Sequence, residues 1–438
     1  MQALLSFDKA PPFAAPLRFF VTAPLFAVAA GLLMVVVGPD ILASRWSPAT
    51  LALTHLITVG FLLQVMLGAL IQILPVVAGA NVAHPLLVAR LVHGGLAAGT
   101  VVLVLSFLSL SPTGLSVAVG LVVASLVVFL GAAGRALFAV PSTSPTIHGL
   151  KLALVGLGGT IVLGAALALA LGRGWNLPLV AMTDLHAGWG LGAWAGVLLV
   201  AMAYVVVPMF QLTPGYPARF SWWLPSLLAL LLVAWSGAVL GGETVPARLC
   251  VGLAALLGMG FAGFTLRLQR RRRRARSDAT YRYWQGGLCC ALAALVMVVA
   301  AALWPPLAEW PGWALLFGVL FGVGGFMSFI VGMLYKIVPF LSWLHLQNLG
   351  QGKVAAPNMS KILGEQTMQR QMWAHFAALA LLLLAVFVPD WLVRPAGVAL
   401  ALANLGLFAN LWRAIGRYRR HVVDIRALAA PGAGCGAP

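Results

Sequence analysis

Leu70–Pro75 reads L-I-Q-I-L-P, Ala203–Pro208 reads A-Y-V-V-V-P and Leu334–Pro339 reads L-Y-K-I-V-P, and each phrase closes a long apolar run. Tyr204 and Tyr335 stand at the same offset from their prolines, and Gly68, Ala201 and Gly332 align as small residues. The prolines are 133 and 131 residues apart. A period of that length exceeds any solenoid unit and points to a multi-helix module used three times.

The 438 residues are 62% hydrophobic and 8% charged, with a mean hydropathy of +1.01. So little charge excludes a soluble core of this size and indicates an integral membrane protein. Apolar runs of about 20 residues predict twelve spans, at 17–38, 49–78, 86–107, 114–134, 150–171, 180–208, 222–241, 247–266, 284–304, 313–342, 372–389 and 395–414. The expected fold is therefore all-α and polytopic: twelve helices in three four-helix modules, whose second helices end on the repeated phrase. Residues 1–427 form one membrane domain, and the Ala/Gly/Pro-rich tail 428–438 is expected to be disordered. The first residues lack the pattern of a cleaved signal peptide, so the first span is expected to stay.

The net charge of +18 is distributed by topology. With the N-terminus in the cytoplasm, only Arg45, Arg173, Arg248 and Arg394 of the 27 Lys and Arg face outward. That bias sets both termini inside, in a bacterial-type inner membrane, and fits an even number of spans. The run Arg270–Arg274 then anchors the chain at anionic lipid headgroups, and nucleic acid is not an expected partner. Trp46, Trp175, Trp304 and Trp391 fall near span ends, where indoles favour the interface. Cys250, Cys289, Cys290 and Cys435 have no metal-ligand spacing and read as small hydrophobes.

Ionisable groups within a membrane are costly, so they are the first functional candidates. The spans hold no deep Asp or Glu, and Asp184 sits at the mouth of span 6. That leaves little equipment for long-range proton pumping or cation-coupled transport. Histidine remains, a common ligand of heme iron and copper. His55 lies 20 residues before Pro75 and His186 22 before Pro208, near the outer ends of spans 2 and 6. Glycines follow both, admitting a flat macrocycle or a neighbouring helix. A histidine at a helix end also serves simply as a hydrogen-bonding group, but matching depth on two repeated spans favours ligands. On a regular α-helix, offsets of 20 and 22 differ by about 200° around the axis, so the two are not strict repeat equivalents. His93, inside span 3, reads as a packing or supporting residue. His345 and His375 flank the loop Leu344–Gln371 and would mark an inner-side site if they met. Lys336 is close enough to the inner surface to snorkel.

The stretch H-A-G-W-G-L-G-A-W-A-G-V-L-L-V-A-M-A-Y-V-V-V-P, from His186 to Pro208, is similar to the sixth span of heme–copper oxidase subunit I. Together with twelve spans in threes, the chain resembles that superfamily, which includes nitric oxide reductases and the divergent NnrS-like proteins. The resemblance implies a copper-site role for His186 and a low-spin heme ligand in His55, with heme b and copper as the cofactors. The family's other ligands are missing: Ser221–Gly241 and Trp313–Ser342 contain no histidine. The expected function is a redox or nitric-oxide-related membrane protein binding heme, copper or both, with a redox partner or second subunit. Two histidines on one heme would favour electron transfer; one with an open position would favour binding NO or O2. The alternatives are a cofactor-free transporter of an uncharged substrate and an assembly factor for a membrane metalloenzyme.

Overall fold

The computed structural model describes residues 10–274, 276–350 and 354–429. All regular structure among them is helical, and eleven helices are long and apolar enough to cross a membrane. These are α1 (Ala14–Val37), α2 (Pro48–Ala78), α3 (Pro85–Leu108), α4 (Pro112–Phe138), α5 (Pro145–Arg173), α6 (Leu179–Gln211), α7 (Ala218–Leu240), α8 (Thr244–Arg270), α9 (Ala279–Leu303) and α10 (Trp313–Gly350). After α11 (Glu365–Ala385), α12 (Pro389–Ala429) supplies the eleventh. The chain is a multi-pass helical membrane protein.

Proline opens α2, α3, α4 and α5, where its missing N–H costs no intrahelical bond. Ser47, Ser111 and Ser144 cap three of these helices by accepting from the amides of Thr50, Gly114 and Ile147.

The span expected at 372–389 is α11, displaced toward the N-terminus. It begins E-Q-T-M-Q-R-Q, and this polar first third keeps it from being counted with the eleven on composition. The segment expected to be a loop from Leu344 to Gln371 is mostly helical: α10 continues to Gly350, Met359–Ile362 forms a short turn of helix, and α11 begins at Glu365. α12 reaches Ala429, and the tail beyond it lies outside the described residues.

Neighbour packing follows one rule three times. α1 packs on α2 and α3, and α3 on α4; α5 packs on α6 and α7, and α7 on α8; α9 packs on α10 and α11, and α11 on α12. Contacts of α4 with α5, α8 with α9, and α12 with α1 close the ring.

The three proline helices share a backbone irregularity. Each contains a π-helical segment, at Leu56–Leu63 in α2, Trp189–Gly196 in α6 and Val319–Met327 in α10. Every one ends twelve residues before its proline, Leu63 before Pro75, Gly196 before Pro208 and Met327 before Pro339. A π segment is a one-residue bulge in the α ladder, and such bulges concentrate at functional sites.

Candidate functional site

His55 is the last residue before the π segment of α2, and His186 lies three residues before that of α6. The structure brings them face to face. Their ring centres are 6.4 Å apart and the ring planes differ by 15°. Both rings are fixed through the same nitrogen. His55 Nδ1 donates to the Leu51 carbonyl at 2.7 Å, and His186 Nδ1 donates to the Thr160 carbonyl at 3.1 Å. A carbonyl can only accept, so each neutral ring carries its proton on Nδ1 and leaves the Nε2 lone pair for another partner. Metal-ligating histidines are oriented by this kind of bond.

Small residues on α5 make the placement of His186 possible. A side chain at Gly164 would meet the His186 ring at 2.8 Å. One at Gly159 would collide with the Trp189 ring, and one at Gly156 with the Ala193 backbone. α5 therefore receives the start of α6 along a glycine-lined face. From the other side, Trp189 Nε1 donates to Ser236 on α7 at 2.9 Å, and Trp235 fills the space beside Gly188. His55 packs on Phe107 of α3, with ring centres 5.3 Å apart. Phe26 of α1 occupies the space beside Gly60, so that glycine, like Gly188, admits a neighbour's side chain. Arg45 and Asp184 form an ion pair at 2.8 Å, joining the loop before α2 to α6 two residues from His186.

The other histidines lie elsewhere. His93 Nε2 is 2.8 Å from Thr22 Oγ1, which in turn lies 3.3 Å from Gln64 Oε1. It is fourteen residues from Phe107 along α3, roughly 21 Å of helix, so it does not support the His55 ring. His375 is buried, 2.9 Å from Ser328 Oγ. His345 Nδ1 instead meets the Tyr418 hydroxyl at 2.8 Å. Ser328 and His345 are seventeen residues apart on α10, about 25 Å, so the expected inner-side pair does not assemble. Among the described residues, no group of three or more His, Cys, Asp or Glu side chains is placed to hold a metal ion.

Two features escape a reading of charge and histidine alone. The first is a buried polar network. Gln371 Oε1 accepts from Tyr283 and Tyr335 at 2.5 and 3.0 Å, Asn410 donates to Tyr335 at 2.9 Å, and Gln371 Nε2 donates to the Ala403 carbonyl. Tyr335 is thus held by polar partners, whereas Tyr204, at the same offset from its proline, packs edge-on against Tyr216. Uncharged Gln and Asn in apolar runs were the available signal.

The second feature is a cavity of about 150 Å³ walled by α2, α6 and α10 with Trp284 of α9. Ala69, Met202 and Met333, each six residues before its proline, line it, as do Ile73, Val206 and Ile337, each two before. The three helices thus present matching positions to one central space.

No protein-family model matches the chain, and none of the curated proteins matches it significantly.

Proposed function

We propose that this protein is a membrane redox protein that holds one heme, or a copper ion, between His55 and His186 and uses it for electron transfer. The observation carrying the reading is the facing pair, each ring tied through Nδ1 and offering Nε2. The rings are stacked with centres 6.4 Å apart; because each Nε2 lone pair lies in its ring plane, both rings would turn edge-on to share one ion. A b-type heme held by both His55 and His186 would supply one-electron chemistry, which favours electron transfer over binding NO or O2. Among the described residues no third His, Cys, Asp or Glu joins the two histidines, so the donor set does not fit an oxygen-reducing binuclear centre.

In this reading the chain has the architecture of heme–copper oxidase subunit I: twelve spans in three four-helix modules, both termini on the cytoplasmic side of a bacterial-type inner membrane. The thrice-repeated packing rule and the shared π-to-proline spacing support the modules. The bias of Lys and Arg supports the orientation, and it puts the histidine pair at the external face. α11 is the twelfth span; its Gln371 and His375 turn inward, toward Tyr283, Tyr335 and Ser328. A redox partner or second subunit would dock at the external face, within reach of the pair.

The test is a reduced-minus-oxidised absorbance spectrum of the detergent-purified protein, with iron and copper measured on the same sample. One b-type heme or one copper per chain is expected, lost in both His55→Ala and His186→Ala. A full signal retained in His55→Ala would overturn the assignment. A colourless, metal-free protein from heme-replete cells would favour the second reading, a transporter of an uncharged substrate, for which the central apolar cavity speaks.

A further inference from the structure

We propose that an open cavity between α5 and α7 holds the headgroup of one anionic phospholipid, with the Arg219 guanidinium on its phosphate. The cavity, about 410 Å³, is lined by His148 of α5 and by Ala218, Arg219, Trp222, Trp223 and Ser226 of α7. One water needs only about 10–15 Å³ of such space, so a headgroup has room. His148 Nε2 and Ser226 Oγ lie 2.7 Å apart, and the His148 and Trp222 ring centres 6.1 Å apart, so side chains of the two helices meet at the cavity wall.

Position and charge select the occupant. The lining residues open α7, and just before it the Leu212 carbonyl accepts from the Arg273 amide at 3.0 Å, which puts the cavity at the same membrane surface as the arginine run. Trp222 and Trp223 are 38% and 66% exposed there, at the depth indoles favour. Arg219 is exposed and pairs with no Asp or Glu among the described residues. A guanidinium makes paired, charge-assisted hydrogen bonds to phosphate, and at this depth a bilayer supplies phosphate in its headgroups. Basic pockets between spanning helices hold anionic headgroups in this way. No carboxylate lines the cavity to meet the ammonium of a zwitterionic headgroup. Trp223, Leu227 and Leu230 follow Arg219 at helical spacing and are all exposed, an apolar stripe along which acyl chains can lie. The run Arg270–Arg274 differs, because it draws anionic lipid through a diffuse field, whereas Arg219 stands in a cavity shaped for one molecule.

The site is separate from the histidine pair. His148 lies twelve residues before Thr160, the α5 residue that holds His186, about 18 Å along the helix.

Native mass spectrometry of the full-length, delipidated protein in detergent, titrated with phosphatidylglycerol and phosphatidylethanolamine of matched chains, tests the proposal. One phosphatidylglycerol per chain is expected to bind about tenfold more tightly than phosphatidylethanolamine. Arg219→Gln should remove that preference. Arg271→Gln, which takes an exposed charge from the arginine run, should keep it. Glycerol 3-phosphate, a phosphate without acyl chains, should not displace the lipid even in large excess. Equal binding of the two lipids by the parent protein, or a preference that survives Arg219→Gln, would overturn the proposal. So would an equal loss in Arg271→Gln, which would assign the preference to a diffuse field. Displacement by glycerol 3-phosphate would do the same, by making this a site for free phosphate.

Discussion

The carboxylate of Asp278 caps α9 by accepting from the Tyr281 amide at 2.9 Å, and it lies 2.6 Å from Lys336 Nζ and 2.9 Å from Arg274. Burial works against its ionisation, but the hydrogen bond and charge of Lys336, aided by the Tyr281 amide and Arg274, outweigh that and hold its pKa below the usual carboxylate range. A depressed carboxylate contributes stability that is fully present above its unfolded pKa, about 3.9, and is lost as the pH falls through the folded value. Asn caps helices about as well as Asp, so Asp278→Asn isolates the charge. At pH 7 it should destabilise the protein by about 1–3 kcal/mol. The gap to the parent should shrink as the pH drops below about 4, read as thermal unfolding in detergent across pH. A gap that stays constant with pH would mean that the charge contributes nothing. Sequence placed Lys336 near a surface and read it as snorkelling. Its partner is 58 residues earlier, and no local pattern ties a lysine before Pro339 to a cap on another helix.

At the level of elements, the π segments set where the histidines point. Sequence supplied the proline helices and the depth of both histidines, but its α-helical geometry gave no reason for His55 and His186 to face each other. A bulge shifts the hydrogen-bond register by one residue without demanding any particular side chain, so composition does not reveal it. The central cavity was equally hidden, because apolar residues facing a void and those facing lipid look alike in a sequence. The apolar run at 372–389 marked α11 but missed its polar start at Glu365. Gln371 and His375 are buried against other helices, so polar residues near the start of α11 serve its packing. Deleting Ile57 from the π segment of α2 should restore a regular helix and turn His55 by about 100° relative to Pro75. In a His55→Cys/His186→Cys background, a short bis-methanethiosulfonate reagent, which forms a disulfide with each thiol and releases sulfinate, should link the two positions efficiently. The same reagent should lose most of that yield after the deletion, whatever metal or heme the parent binds. Equal yields would show that the bulge does not orient the pair.

For the whole molecule, closing the ring depends on α1 meeting α12, and that contact is made by backbones. A side chain at Gly31 would lie 2.5 Å from the Gly397 carbonyl oxygen and 2.6 Å from the Ala401 amide, and one at Gly397 would lie 2.6 Å from the Gly31 carbonyl. Helices in lipid gain nothing from hiding apolar surface from lipid, so close packing through small residues must supply the association. Met34, whose Cβ lies 2.8 Å from where a side chain at Gly397 would stand, is buried at the same interface. The seam has a further consequence for the site. α1 also carries Phe26 against Gly60 in the π segment of α2, so a shift of α1 away from α12 would be felt beside His55. Gly31→Leu should therefore lower the thermal unfolding midpoint by several degrees, through overpacking of about 1–3 kcal/mol, and should weaken cross-linking of the His55→Cys/His186→Cys pair. Gly120→Leu is the matched control, because no atom lies within 4 Å of the side chain it would add on α4. It should change neither readout. If Gly31→Leu proves as stable as the control, the seam between α1 and α12 does not hold the ring closed. If it destabilises the protein but leaves the cross-link intact, the seam and the histidine pair are mechanically separate.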